Sequence, residues 1–361
     1  YDVTLADLAG SETVDIYAAD LVTITKEDAS GSSDSHTINL ATKAADKAFA
    51  HTIGDINVTN IESLTLTSNG MKVETAKTLS NLSGDANLTS LTITGDSDLV
   101  ISDHGTDNTK LATIDASAMT GSLTLSDSVA TLAQTITTGS GNDSVTMGAN
   151  LTATDVVDLG GNTTTVAGKA GSDSLTADLA AAGTSQVAET RSLSNIEAVA
   201  FKLTTGNSFL DASKMVNVGQ VNLWNADNDT TGVTISNLAA GTNLALGATT
   251  NQESNGTITV SLADETGTAD SLKVVIGDAG ADDDVNATLK TTGIETIEFA
   301  RTATDADNAN INVASAKAAT INITGVTTAA AVTTLGTLST STTKVDASAA
   351  PGLLSVTASA T

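Results

Sequence analysis

Three glycine- and aspartate-rich turns hold the residues best suited to chemistry in this chain. Gly139-Ser140-Gly141-Asn142-Asp143-Ser144-Val145 sets an aspartate two residues after a glycine and just before the apolar start of a strand. Gly168-Lys169-Ala170-Gly171-Ser172-Asp173-Ser174-Leu175 follows the same pattern with Lys169 in a glycine position. Gly277-Asp278-Ala279-Gly280-Ala281-Asp282 is a looser third copy, to which Asp283 and Asp284 add charge. Glycine permits positive φ and lets a loop turn its carbonyls inward, and the aspartate supplies a hard carboxylate oxygen. Two such loops on neighbouring coils would enclose Ca2+ in roughly six or more oxygens. The candidate metal-binding residues are therefore Gly141, Asp143, Gly171, Asp173, Gly280 and Asp282. Ordinary Asp/Gly turns use the same residue types, and the copies are not in close tandem, so a regular calcium roll is not expected.

Other acidic groups read more plainly. Asp96-Ser97-Asp98, Asp227-Asn228-Asp229 and Asp305-Ala306-Asp307-Asn308 put oxygens on one side of a turn, but none completes a helix–loop–helix calcium loop. An Ile-Glu pair precedes an apolar strand three times, at Ile61-Glu62, Ile196-Glu197 and Ile294-Glu295; its glutamate reads as a residue facing solvent or bonding backbone amides. An Asp-Ala-Ser motif also recurs, at Asp115-Ala116-Ser117, Asp211-Ala212-Ser213 and Asp346-Ala347-Ser348. A nucleophilic serine needs a base placed to take its proton. No histidine recurs beside these serines, and His36, His51 and His104 all fall in the first third of the chain, so Asp and Ser are expected to cap a tight turn. The three histidines lack close ligand spacing for a transition metal, and there is no phosphate-binding P-loop sequence. No catalytic residue is predicted.

The elements that must position these turns are strands. Ser63–Ser68 (SLTLTS), Ser90–Gly95 (SLTITG), Leu99–Ser102, Ser122–Ser126 and Gly232–Ser236 alternate apolar and polar residues between turn formers. Two segments, Ala41–Ala50 and Leu175–Ala182, are the helix candidates. Similar strands begin at residues 63, 90 and 112, at 197 and 219, and at 295, 319 and 343. Steps in the twenties suit one coil of a parallel β-solenoid burying small side chains. A sandwich would show turns at shorter intervals. The fold class predicted is all-β: an elongated parallel β-solenoid, β-helix-like, with sandwich portions and few short helices as variants. The expected organisation is an N-terminal β segment over 1–55, then repeat blocks over 56–189, 190–288 and 289–361. The first 55 residues and the stretches 151–189 and 251–288 read as connecting or inserted strands.

Composition narrows the function. The formal charge of −27, from 15 basic and 42 acidic residues, repels nucleic acid and anionic membrane. Aromatics are only 2% and Arg191 and Arg301 are the sole arginines, which disfavours a polysaccharide-degrading groove built on stacking rings and cationic catalysts. There is no cysteine and no apolar run long enough to span a membrane. Beginning at Tyr1, the chain reads as a mature or trimmed piece.

The NIESLTLTS-type and IDASAMTGSLTL-type segments, with the GSGNDSV and GKAGSDSL turns, resemble the repetitive region of surface-layer (S-layer) proteins of Gram-negative bacteria exported by type I secretion, relatives of the repeats-in-toxin proteins. The resemblance covers most of residues 56–361. It implies a secreted, non-enzymatic protein at the cell surface that binds calcium and self-assembles into a two-dimensional array. Its implied partners are copies of itself, with cell-surface polysaccharide a candidate anchor and neither nucleic acid nor membrane insertion involved. A calcium-dependent adhesin or an extracellular filament subunit is the alternative.

Overall fold

The structure, a computed structural model, describes residues 2–8, 12–17, 19–26, 31–42, 51–70, 76–84, 87–104, 107–127, 132–161, 172–179, 189–204, 207–225, 232–247, 254–277, 285–301, 309–325, 332–350 and 353–357. The described residues form a parallel β-solenoid in which most strands pair with the next but one along the chain, while Val156–Asp158 pairs with Ser192–Leu203 past two intervening strands. All pairings among them are parallel, so no sandwich portion occurs there. The chain divides into two compact units.

The first unit holds Tyr1–Thr176 and Ser192–Ile196. One of its ladders runs through Asp2–Leu8, Leu21–Lys26, His51–Thr59, Lys77–Ser83, Leu99–Ile101, Leu123–Ser126 and Ser144–Gly148. The other runs through Thr13–Ile16, Ser35–Leu40, Ser63–Ser68, Ser90–Thr94, Thr113–Asp115, Thr135–Thr137, Val156–Asp158 and on to Ser192. In this second ladder one inward column is His36, Leu64, Leu91, Ile114, Ile136, Val157 and Leu193, all in register and almost wholly buried. Alternation forces this. With a period of two, every other residue of LTLT or LTIT must point inward, and parallel register stacks like on like. Each such aliphatic side chain contributes about 1.5–3 kcal/mol of burial.

The second unit holds Ala177–Arg191 and Glu197–Thr361. Its ladders are Ser208–Asp211, Val233–Leu238, Ser254–Leu262, Val285–Thr291, Ala309–Ser315, Val332–Thr337 and Leu353–Thr357, and Met215–Asn225, Asn243–Leu246, Ser271–Ile276, Thr296–Arg301, Thr320–Gly325 and Lys344–Asp346. Thr296, Thr320 and Lys344 are in register, which matches the 24-residue steps seen in the sequence. Phe299 lies fully buried between Val274 and Ile323 in an inward column.

One sequence expectation is corrected. Leu175–Ala182 is not a helix as far as it is described: Ser174–Leu179 is a strand with Leu175, Ala177 and Leu179 inward. Tertiary pairing overrides the helix propensity of its leucines and alanines. Of the other helix candidate, Ala41 and Thr42 are irregular and residues 43–50 lie outside the described residues. The only helical turn described is the 3-10 turn Ala212–Lys214. Within 1–55 and 251–288, read as connecting or inserted strands, the described strands pair in register with their neighbours, and pairing continues through residues 55 and 288.

Candidate metal centre at the acidic coil corners

The Gly139–Val145 turn sits at a coil corner where backbones nearly touch. A Cβ on Gly141 would come within 2.5 Å of the Gly121 carbonyl oxygen, and one on Gly139 would overlap the Met119 carbonyl. Neither glycine has positive φ. The sequence reading of these glycines as left-handed hinges is therefore corrected: they are small because the coil below leaves no room for a side chain.

Asp143 and Asp173 come together across this corner. Asp143 is 1% exposed; its Oδ1 accepts the Leu123 N–H at 2.7 Å, and its own N–H donates to Asp173 Oδ1 at 2.7 Å. Asp173 is equally buried. On the far side of the same corner, Asp98 Oδ1 accepts the Ser122 N–H at 2.8 Å. The peptide units of Ser122 and Leu123 are thus held from both sides by carboxylates. Burial pushes the Asp143 carboxyl above its usual range and the nearby Asp98 charge pushes the same way; the Leu123 amide, the Thr138 hydroxyl and the Gly139 amide oppose them.

The corner has oxygens to spare. Asp143 Oδ2, Asn142 Oδ1 and Thr138 Oγ1 are buried; the Thr138 hydroxyl and the Gly139 amide lie close enough to Asp143 to favour its charge, but none of the three oxygens is in a hydrogen bond of good geometry. An all-oxygen set of carboxylate, amide and hydroxyl suits a hard cation such as Ca2+ better than a nitrogen- or sulfur-seeking metal. Among the described residues, no three His, Cys, Asp or Glu side chains converge as a metal-holding group. Gly171, Gly280 and Asp282, with the rest of 162–171 and 278–284, lie outside the described residues. Of the six candidate ligand residues, Gly141, Asp143 and Asp173 are therefore placed, and Gly141 serves close packing.

The remaining motifs bond backbone, some across to a neighbouring coil and some within their own turn. Glu62 Oε2 accepts the Asp34 N–H at 2.8 Å, and Glu295 Oε2 accepts the Asp270 N–H at 3.0 Å. Asn60 and Asn195, which precede two of the Ile-Glu pairs, adopt left-handed φ of 57° and 56°. In the Asp-Ala-Ser motifs, Asp115, Asp211 and Asp346 each accept the backbone N–H of the serine two residues on, at 3.0, 3.0 and 3.1 Å. Ser117 and Ser348 add their hydroxyls, so these serines bond their own aspartate, as a turn cap does. The bonds hold Asp115, Asp211 and Asp346 below the usual carboxylate range: Ser117 leads for Asp115, Asn237 for Asp211 and Lys344 for Asp346. Asp96 and Asp98 likewise receive backbone amides from neighbouring coils. The clusters at 227–229 and 305–308 lie outside the described residues.

Several functional-looking groups escaped the sequence reading. Arg191 and Arg301 are both buried, as are Lys26 and Lys77. Lys77 Nζ donates to the carbonyls of Leu40 and Asn69, the latter at 2.6 Å; burial brings it down to about 8, against the pull of Asp96. His104 Nε2 and Asp127 Oδ1 meet at 2.6 Å with both side chains fully buried. Asp155 accepts the Gln134 and Thr152 amides at 2.6 and 2.5 Å. Only the Thr152–Asp155 spacing and the Asn69–Lys77 contact are local; Leu40, Asp127 and Gln134 each sit at least a coil from the group they meet. On the outer surface, Lys202 Nζ lies 5.1 Å from the centre of the Trp224 ring. Compared with known protein families, characterised proteins and solved structures, the chain finds no match.

Proposed function

We propose that this chain is a structural module of a bacterial surface layer, which associates with copies of itself into a two-dimensional, calcium-stabilised array outside the cell. One observation carries the reading: the recurrent polar motifs are spent on bonding backbone, either across to a neighbouring coil or within the turns of a coil. Glu62 and Glu295 of the Ile-Glu pairs and the Asp98, Asp143 and Asp155 carboxylates accept backbone N–H groups from other coils, and the Asp-Ala-Ser aspartates accept those of their own turns. Such a chain invests in a regular scaffold. The calcium part rests on the Asp143–Asp173 corner, with its buried oxygens and the nearby Asp98 charge, in a chain whose net charge is −27. A cation there relieves the cost of burying carboxylates and favours folding where calcium is abundant.

Electron microscopy and thermal melting of the purified chain, each with calcium and with chelator, test the proposal. Ordered sheets and a higher melting midpoint with calcium are expected. Isolated rods or fibres would favour an adhesin or filament subunit instead. An unchanged midpoint and no association in either condition would overturn both the array and the metal role.

A further inference from the structure

The chain contains two Asn-Gly pairs, Asn69-Gly70 and Asn255-Gly256, and the fold treats them in opposite ways. Asn255 and Gly256 lie inside the strand Ser254–Leu262, in register with Asn286 and Ala287. Asn69 and Gly70 form a coil corner just after the strand Ser63–Ser68, and Asn69 is exposed to water. There a single residue of the next coil, Asp96, touches both reacting groups of the Asn-Gly pair. The Gly70 N–H donates to Asp96 Oδ1 at 3.2 Å, and the Asp96 N–H donates to Asn69 Oδ1 at 3.0 Å. The Asn69 main-chain carbonyl is separately fixed by Lys77 Nζ at 2.6 Å.

Asn-Gly chemistry needs these contacts. The Gly70 nitrogen is the nucleophile and the Asn69 side-chain carbon the electrophile. A carboxylate on the N–H can take its proton, and a backbone N–H on the amide oxygen stabilises the oxyanion formed by attack. Glycine leaves the nucleophile unhindered, and φ of +91° at Gly70 is a conformation only glycine takes without strain. We propose that Asn69-Gly70 is a self-processing site, at which the folded chain catalyses its own conversion of Asn69 to a cyclic imide and then to an acid.

In the first step Gly70 N bonds to Asn69 Cγ and its proton passes to Asp96. The bond from Cγ to the side-chain nitrogen then breaks, and ammonia leaves with that proton. In the second, water adds to either imide carbonyl and opens the ring to aspartate or isoaspartate. No electron is gained or lost. The product sets a new carboxylate beside Lys77 and Asp96 at the corner.

Peptide mapping by mass spectrometry after incubation at mildly alkaline pH tests the proposal, with the protein folded or held in concentrated urea. In the folded protein, amide-to-acid conversion is expected at Asn69 and not at Asn255, and urea should bring the two rates together. Asp96→Asn, which keeps the backbone donor and removes the base, should slow conversion at Asn69 by at least about tenfold. A rate at Asn69 no faster folded than in urea would overturn the proposal, and so would a rate unchanged in folded Asp96→Asn. The comparison of folded and urea-treated protein needs no variant and decides alone if Asp96→Asn does not fold.

Discussion

Glu62 and Asp34 are bonded to each other twice: Glu62 Oε2 accepts the Asp34 N–H at 2.8 Å, and the Asp34 carbonyl accepts the Glu62 N–H at 3.0 Å. Glu295 and Asp270 repeat the pair, with the side-chain bond at 3.0 Å and the return bond at 2.9 Å. The glutamate therefore stitches the start of its own coil to the coil before it. The stitch leaves the Glu62 carbonyl to accept the Thr89 and Ser90 amides of the following coil.

Removing one stitch should have a modest, local cost. Glu62→Ala loses an acceptor of a part-buried amide, and a charge-assisted bond of this kind contributes about 1–2 kcal/mol. Glu62→Gln keeps an acceptor oxygen and should lose less than half of that. Urea unfolding of the two variants checks the order. Equal losses would mean that charge, not the bond, matters.

Asp143 should make calcium dependence visible. Its folded-state pKa is raised above its ordinary 3.8, so its buried charge costs stability at neutral pH. As pH falls through the raised value the folded state takes up a proton before the unfolded chain does, and the cost fades down to about 3.8. Asp143→Asn keeps an oxygen for the Leu123 amide and removes the charge. Without metal it should be at least as stable as the parent at pH 7, with the difference vanishing on acidification. With calcium, its gain in melting midpoint should be smaller than the parent's. Calorimetry across pH, with calcium and with chelator, reads both effects.

The coil rhythm was legible because it is written in apolar alternation: strands starting at 295, 319 and 343 in sequence stack as Thr296, Thr320 and Lys344. The turn role of Asp115 and Ser117 was legible too, because both partners are local. What sequence did not show is chemistry decided by a partner a full coil away. Nothing near Gly141 reveals that the Gly121 carbonyl lies under it, nor does anything near Asp143 name Leu123 and Asp173 as its contacts. Leu175–Ala182 looks helical in isolation and becomes, over the part described, a strand because a ladder is there to receive it.

Gly141 gives a test of that corner that is independent of metal. A methyl group there meets the Gly121 carbonyl oxygen at 2.5 Å, and backbone can yield only by separating the coils. Gly141→Ala should cost about 1–3 kcal/mol, measured by urea unfolding in chelator. Gly161→Ala, with nothing within 4 Å of the added carbon, should change stability by less than about 0.5 kcal/mol.

His36 and His104 should give opposite pH dependences. His36 begins the inward column that continues as Leu64 and Leu91; it is 2% exposed, and neither ring nitrogen has a hydrogen bond. Burial pushes its pKa below 6.5; Lys26 pushes the same way and Glu12 opposes them. The fold thus favours the neutral ring: its contribution is intact above about pH 6.5 and is lost as pH falls below that value. His104 is also disfavoured as a cation by burial, but the Asp127 hydrogen bond and charge outweigh this and raise its pKa. Its contribution is fully present below about pH 6.5 and is lost as pH rises through the raised value. His36→Leu, which extends the leucine column, should stabilise by about 1 kcal/mol or more at pH 7 through relief of unsatisfied nitrogens. Its advantage should widen toward pH 5. His104→Leu leaves Asp127 buried without its cation and should destabilise by about 3–5 kcal/mol at low pH, less at high pH. Melting curves of both variants between pH 5 and 8 check this. Parallel pH profiles would mean that the two rings do not titrate in the folded chain as their surroundings dictate.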